Sequence, residues 1–174
     1  DKDCQNSISH GFLLIFESFR TEKVPPQSGH RNKIIHQPSS IVIAFASMGR
    51  NVPFAFNRKE KKDHGEGGVI IGAPLKGLVL IVDDVISAGT SVNESVNLII
   101  EEGAKPSGIA ISIDREEKGS GPLSAVEEIK ETHHLPICHL TSLKEIMRYI
   151  ENHETYASHI DAMRAYQKEY GVKS

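Results

Sequence analysis

The clearest pattern of apolar and polar positions begins at residue 78. Residues 78–82 are all apolar, which predicts a strand buried on both faces, and two carboxylates, Asp83 and Asp84, follow it directly. A turn of small residues at 87–91 comes next, and apolar side chains then recur at helical spacing. The pattern therefore predicts a strand, an acidic pair, a turn and a helix N-terminus in that order.

The start and the end of this helix have their own signals. Ser91 and Glu94 stand three residues apart, as in a capping box, so we expect Ser91 to cap the helix. Gly103 is placed to end it, because glycine readily adopts the left-handed conformation of a helix C-terminus.

The rest of the chain alternates between short apolar runs and amphipathic stretches. Strands are predicted at residues 52–56, 69–71, 108–113 and 135–140. Helices are predicted at 41–49, after capping boxes at Ser124 and Ser142, and at 156–170. Strands that alternate with helices indicate an α/β domain, with a mainly parallel central sheet flanked by helices.

Residues 1–40 lack such a pattern. The stretch 21–40 contains three prolines and a glycine and no regular period, so we predict a loop there. The sequence thus divides into an atypical N-terminal segment of unclear structure, 1–40, and a core domain, 41–174.

Composition narrows the class of protein. A chain of 174 residues with 39% hydrophobic and 25% charged residues is typical of one globular domain. A net charge of −3 gives no electrostatic reason to expect nucleic acid or a membrane as partner. The two cysteines cannot form a disulfide framework, and the apolar run at 12–16 is too short for a signal peptide or a membrane span. We expect a cytoplasmic protein.

The turn and the acidic pair have opposed chemical preferences. Free backbone N–H groups and the positive end of a helix dipole at 87–91 suit a phosphate. Asp83 and Asp84 would repel a phosphate unless they bind sugar hydroxyls or a cation. This combination predicts a phosphorylated ligand that is rich in hydroxyls, bound with Mg²⁺.

A second unusual stretch, residues 57–68, is cationic and closes on glycines. It carries Arg58, Lys59, Lys61, Lys62 and His64. On charge alone it is a solvated hairpin. Because it precedes the phosphate-type turn, it could instead close over a polyphosphate and exclude water.

Three interpretations fit an apolar strand that ends in two aspartates. The metal-binding strand of a P-loop ATPase is disfavoured, because the chain has no GxxxxGK[ST] motif. The pair could simply cap a turn. The third interpretation is a phosphoribosyl site, because VLIVDDVISAGTS resembles the phosphoribosyl pyrophosphate motif of the type I phosphoribosyltransferases.

Within that family, FNRKEKKDHGEGG is similar to the catalytic loop of the orotate phosphoribosyltransferases. The resemblance covers residues 41–172. It implies an Mg²⁺-dependent transfer of the phosphoribosyl group from phosphoribosyl pyrophosphate to orotate, in pyrimidine biosynthesis, and a homodimer in which each loop acts in the partner's site.

The resemblance also assigns residue roles. Lys62, His64, Asp83 and Asp84 would be catalytic, and the two aspartates would hold the ribose hydroxyls directly or through Mg²⁺. Contacts to phosphoribosyl pyrophosphate are implied for Arg58, Lys59, Lys62, His64, Asp83, Asp84, Val85, Ile86, Ser87, Ala88, Gly89, Thr90 and Ser91. Ser87 and Arg115 would contact orotate.

Residues 1–40 do not resemble the N-terminal portion of the family. That portion forms a hood over the base and carries a Tyr-Lys-Gly loop, so the resemblance implies a hood that is absent or altered here. Two alternatives to an active enzyme for orotate follow: an impaired or non-catalytic phosphoribosyl pyrophosphate-binding protein, and a phosphoribosyltransferase for another base.

Overall fold

The computed structural model of the chain describes residues 33–36, 39–57 and 70–172. Its strands are β1 (Lys33–His36), β2 (Ala55–Asn57), β3 (Ile70–Gly72), β4 (Leu78–Val85), β5 (Lys105–Asp114) and β6 (Ile137–Ser142). Its helices are α1 (Ser39–Ser47), α2 (Thr90–Glu101), α3 (Ala125–His133), α4 (Leu143–Glu151) and α5 (Ile160–Tyr170), with a 3₁₀ helix at Glu154–His159. The alternation of strands and helices confirms the predicted α/β class.

The central sheet has four parallel strands in the order β1-β4-β5-β6. β4 therefore lies in the middle of the sheet, as its unbroken apolar run predicts. β2 and β3 form a separate antiparallel pair, in which Asn57 lies opposite Ile70. The cationic stretch that joins these two strands lies outside the described residues.

Helices cover both faces of the sheet. Since successive side chains of a strand point to opposite faces, β4 contributes to the packing on each side. On one face, Val79 and Ile81 of β4 belong to the main core, together with buried residues of α2 and α3. On the other face, Leu80 and Val82 pack with Phe45 of α1. Asp83 shares the parity of Val79 and Ile81 and thus lies on the α2 side.

The loop predicted at 21–40 is wrong for part of its length. Lys33–His36 form β1, which pairs in parallel with β4, and α1 begins at Ser39. Backbone pairing with β4 makes this short segment a strand, although its own sequence has only a weak apolar pattern. The division at residue 40 stays a prediction. The prediction of an absent or altered hood concerns the N-terminal segment, of which residues 1–32 lie outside the described part.

Two of the three predicted capping boxes are confirmed. The hydroxyls of Ser124 and Ser142 each accept a hydrogen bond from the backbone N–H three residues on. The side chains of Glu127 and Glu145 in turn accept from the backbone N–H of the two serines. The N–H and O–H groups of Ser124 lower the pKa of Glu127. The third box, at Ser91, is wrong, because α2 begins at Thr90 and its N-cap is Gly89, two residues before the predicted cap.

The last predicted helix, at 156–170, is correct only from Ile160 onward. Tyr156 lies in the 3₁₀ helix and is exposed, so it does not belong to a buried face. Within the described ranges, no helix combines the length and the apolar character needed to cross a membrane.

Ser95 of α2 offers a test of the packing. Its side chain is fully buried, and its hydroxyl has no hydrogen-bond partner within the described residues. We expect Ser95→Ala to raise the free energy of unfolding by about 0.5–1 kcal/mol, since alanine leaves no polar atom unsatisfied and favours the helix. Urea unfolding measures the change. Asn97→Ala, at an exposed position of the same helix, controls for helix propensity, and a loss of more than ~1 kcal/mol for Ser95→Ala would show that the hydroxyl is bonded.

Candidate functional site

The carboxyl ends of β4 and β5 place the candidate residues at one edge of the sheet. The two strands are parallel and adjacent, with Asp83 opposite Ile111 and Val85 opposite Ile113. Ligands of α/β sheets bind outside the carboxyl ends of the strands. The acidic pair at the end of β4 and Arg115, just after the end of β5, therefore face the same region.

The two aspartates differ in their surroundings. Asp83 is buried, with 6% of its surface exposed. Its Oδ1 accepts the N–H of Asp84 at 2.9 Å, and its Oδ2 accepts the hydroxyl of Ser91 at 3.0 Å. Asp84 is exposed, and its Oδ1 accepts the N–H of Val85 at 2.9 Å. Asp83 thus ties the end of β4 to the first turn of α2, whereas Asp84 faces solvent.

Gly89 shapes the turn between β4 and α2. Its φ is +71°, in the left-handed region that side chains with a Cβ rarely adopt. A Cβ at this position would lie 2.5 Å from Cδ1 of Ile129, which belongs to α3. Both the backbone and the packing of α3 therefore require glycine here.

The N-terminus of α2 is left open for a ligand. No side-chain cap binds its first N–H groups, as far as the described residues show, and the first turn contains no acidic residue. The Ser91 hydroxyl, predicted to cap the helix, donates to Asp83 instead. Uncapped N–H groups at a helix start are donors for an anion.

The remaining residues of the motif fall into two groups. Ile86 is buried, with 3% exposure, and Val85 is the half-buried last residue of β4, so only their backbone can reach a ligand at the turn. Ser87, Ala88 and Thr90 are exposed, and Ser91 is half-buried.

Arg115 connects the second strand end to the turn. Its Nη2 donates to the hydroxyl oxygen of Ser87 at 2.5 Å and to Oε2 of Glu117 at 3.1 Å. The two residues predicted to contact the base thus lie side by side, although they are 28 positions apart in the sequence.

Two neighbours of Arg115 were not predicted from the sequence. Glu117 forms an ion pair with Arg115, and Tyr166 of α5 donates its hydroxyl hydrogen to Oε1 of Glu117. Tyr166 could have been found, because it follows Met163 by three positions and precedes Tyr170 by four, on one face of the helix. Glu117 lies in a polar loop without a period.

Comparison with known proteins decides the family. The profile of the phosphoribosyl transferase domain matches residues 39–133, more than half of the chain. The orotate phosphoribosyltransferase of Neisseria meningitidis serogroup C is 50% identical over 155 residues, which cover 84% of this chain and 73% of that protein. The chain belongs to the orotate phosphoribosyltransferase family.

Other members of the family agree in sequence and in fold. The orotate phosphoribosyltransferase of Chromobacterium violaceum is 59% identical over 130 residues, 75% of this chain. The chain spans only 61% of the length of that relative. The crystal structure of the orotate phosphoribosyltransferase of Francisella tularensis has a TM-score of 0.67 and 28% identity, over 95% of this chain and 76% of that one. These matches confirm the type I phosphoribosyltransferase fold.

The loop residues that the family resemblance makes catalytic cannot be placed in this site. Arg58, Lys59, Lys62 and His64 lie outside the described residues. Their roles stay predictions, and the site described here consists of the acidic pair, the turn and Arg115.

Proposed function

We propose that the chain transfers the phosphoribosyl group of phosphoribosyl pyrophosphate to orotate, with release of pyrophosphate and formation of orotidine 5′-monophosphate. The observation that carries this proposal is the junction of β4 and α2, where an uncapped helix N-terminus, an exposed carboxylate and Arg115 meet. Identity of 48–59% to orotate phosphoribosyltransferases supports orotate as the acceptor.

The turn binds the 5-phosphate. Backbone N–H groups at the start of α2, that of Ser91 among them, and the hydroxyls of Ser87 and Thr90 supply donors, and the helix dipole adds positive potential. Gly89 supplies the left-handed backbone that turns the chain into α2 and makes room for Ile129 of α3, which together set the shape of the turn. The contact with the phosphate fixes the sugar relative to the end of β4.

The acidic pair stabilises the sugar as the bond to pyrophosphate breaks. The anomeric carbon then gains positive charge, which a fixed carboxylate nearby favours. Asp84 is placed for this contact because it is exposed, whereas the oxygens of Asp83 accept bonds from the protein itself. Asp83 supports the ribose contact by holding Asp84 and the turn in place.

Mg²⁺ fits this acidic pair. It is commonly bound through one or two carboxylates together with substrate oxygens, not by an all-protein cage. The described part of the chain contains no group of three or more acidic, histidine or cysteine side chains that could hold a metal. Asp83 and Asp84 would hold the ion indirectly, and when bound it would neutralise charge on the departing pyrophosphate.

Arg115, just after the end of β5, and Ser87 of the turn hold orotate. The orotate carboxylate matches the geometry of a guanidinium group, which donates two parallel hydrogen bonds to such a partner. The position of Arg115 beside the turn would bring the base next to the anomeric carbon.

The cationic loop completes the site. Arg58, Lys59, Lys62 and His64 would neutralise the pyrophosphate, and by family resemblance each loop serves the partner of a homodimer. Apolar side chains of α1 and the residue after it, Ile43 and Met48, are more than 60% exposed, which supports a contact between subunits in this part of the chain. We place the reaction in pyrimidine biosynthesis in the cytoplasm, with neither nucleic acid nor a membrane as partner.

An assay of the purified chain tests the function. We expect loss of orotate absorbance and release of pyrophosphate when orotate, phosphoribosyl pyrophosphate and Mg²⁺ are all present, and no reaction when any of them is left out or Mg²⁺ is chelated. Light scattering after size exclusion tests the dimer, and Ile43→Glu should weaken it.

The same assay separates the alternatives. Turnover of uracil or a purine in place of orotate would point to another base. Calorimetric binding of phosphoribosyl pyrophosphate without turnover of any base would point to an impaired or non-catalytic binding protein. Either result would contradict the proposal.

A further inference from the structure

Arg115 is held by more than its neighbour in the turn. A single nitrogen, Nη2, donates both to Ser87 and to Glu117. Its Nε is buried and has no hydrogen-bond partner within the described residues. The side chain is still 34% exposed. Because arginine has many rotamers, a partially exposed guanidinium needs a fixed partner to remain in one orientation.

Glu117 is a partner of this kind. Its side chain is 15% exposed, less than half of the value for Arg115. Oε2 accepts from Arg115, and Oε1 accepts from the hydroxyl of Tyr166. With one donor on each oxygen, the plane of the carboxylate is determined, and with it the direction of the arginine.

The C-terminal end of α5, the helix that carries Tyr166, is attached to the loop by backbone contacts. The N–H of Lys118 donates to the carbonyl of Tyr170 at 2.8 Å, and Glu117 forms a β-bridge with Gly171. The N–H of Val172 donates to the carbonyl of Glu116 at 3.2 Å. The end of α5 is thus attached to the loop that carries Arg115 and Glu117.

We propose that Glu117 and Tyr166 are positioning residues for Arg115, which make α5 a determinant of affinity for the acceptor base. The proposal rests on the proposed function, because the base is the ligand of Arg115. Glu117 has a second effect: its negative charge counters the attraction of a phosphate bound at the turn, because the guanidinium already lies within hydrogen-bond distance of Ser87. Without Glu117, a bound phosphate would attract the arginine and leave the base without its partner.

Steady-state kinetics of two mild variants test this role. Glu117→Gln keeps the shape of the side chain but removes its charge, and we expect the KM for orotate to rise about tenfold. Tyr166→Phe removes one hydroxyl, and we expect a rise of about threefold. In both variants the KM for phosphoribosyl pyrophosphate should stay the same or fall. Tyr149→Phe, on the exposed face of α4, is the matched control and should change neither value.

Titration of Tyr166 gives a readout that does not need activity. The hydrogen bond to Glu117 raises the pKa of the Tyr166 phenol above its ordinary value of 10, and the charges of Glu117 and Tyr170 act in the same direction while Arg115 opposes them. The Tyr166 hydrogen bond therefore stabilises the fold fully below pH 10 and is lost at higher pH. Carbon-13 NMR of labelled tyrosine should show a lower pKa for Tyr166 in Glu117→Gln, and the Arg115 Nε–H signal should broaden in both variants.

The outcomes distinguish this inference from the proposed function. A wild-type chain without turnover would contradict the function, and the NMR signals would still decide whether Arg115 is positioned. Unchanged orotate KM in an active Glu117→Gln variant would overturn the inference, as would an unchanged Arg115 signal in an inactive chain. An equal rise in both KM values would indicate a structural defect and would also overturn it.

Discussion

Asp84→Asn should lower kcat by about 100- to 1,000-fold with little change in stability. The carboxylate is exposed at the end of β4. We assign to it the stabilisation of the positive charge that develops on the sugar. Asparagine keeps the oxygen that accepts the N–H of Val85 at 2.9 Å but lacks the charge. Steady-state kinetics with saturating substrates measures kcat, and thermal unfolding should place Tm within ~2 °C of the wild type.

Asp83→Asn provides the contrast. Asp83 is buried and accepts hydrogen bonds from Asp84 N–H and from the Ser91 hydroxyl. An amide oxygen can accept only one of them, and the NH₂ group at the other position would have to donate to the Ser91 oxygen. Both hydrogen bonds to a charged carboxylate are thus replaced by weaker neutral ones, so we expect a loss of about 1–3 kcal/mol in the free energy of unfolding and a lower Tm. Equal stability of both variants, or a larger kcat loss at Asp83 with an unchanged Tm, would show that the two aspartates are not divided into a supporting and a reacting residue.

The part of the site that could be predicted from the sequence is local. The acidic pair, the turn and the start of α2 occupy one continuous stretch, 83–91, so their order alone indicates what they form. The apolar run of β4 likewise predicts a strand covered on both faces. These features depend on neighbours in the chain, which periodicity and turn chemistry record directly.

The cap of α2 shows where local signals fail. Ser91 and Glu94 match the spacing of a capping box as well as Ser124 and Glu127 do, yet only the second pair forms one. The hydroxyl of Ser91 binds Asp83 instead, a partner eight positions away that the fold brings close. The tertiary contact takes the side chain and leaves the helix N-terminus open for a ligand.

Contacts between distant segments carry no such signal. Glu117 and Tyr166 are 49 positions apart, and neither has a pattern that points to the other. β1 is a similar case, because four residues beside a proline-containing stretch become a strand through pairing with β4. Their positions follow from the packing of the whole domain.

Gly89→Ala should have the second large effect, on both binding and stability. The new Cβ would lie 2.5 Å from Cδ1 and 2.9 Å from Cγ1 of Ile129, in a backbone conformation with φ of +71°. Backbone strain of about 1 kcal/mol and overpacking of about 1–3 kcal/mol add together. We expect a loss of about 2–4 kcal/mol in the free energy of unfolding, measured by urea denaturation. Affinity for phosphoribosyl pyrophosphate, measured by calorimetry, should fall at least tenfold because the turn moves.

Gly103→Ala is the matched control, because Gly103 has a similar positive φ but no side chain packs against it. Gly103 has a φ of +73°, and a Cβ there would have no atom within 4 Å. It should lose only about 1 kcal/mol and bind phosphoribosyl pyrophosphate normally. Ile129→Val, which removes Cδ1, should then restore part of the loss in the Gly89→Ala background, since the double variant relieves the contact. If Gly89→Ala were no more destabilising than Gly103→Ala and bound the ligand equally well, close packing of α3 on the turn would not be what requires glycine at this position. The shape of the phosphate-binding turn would then not depend on the contact between Gly89 and Ile129.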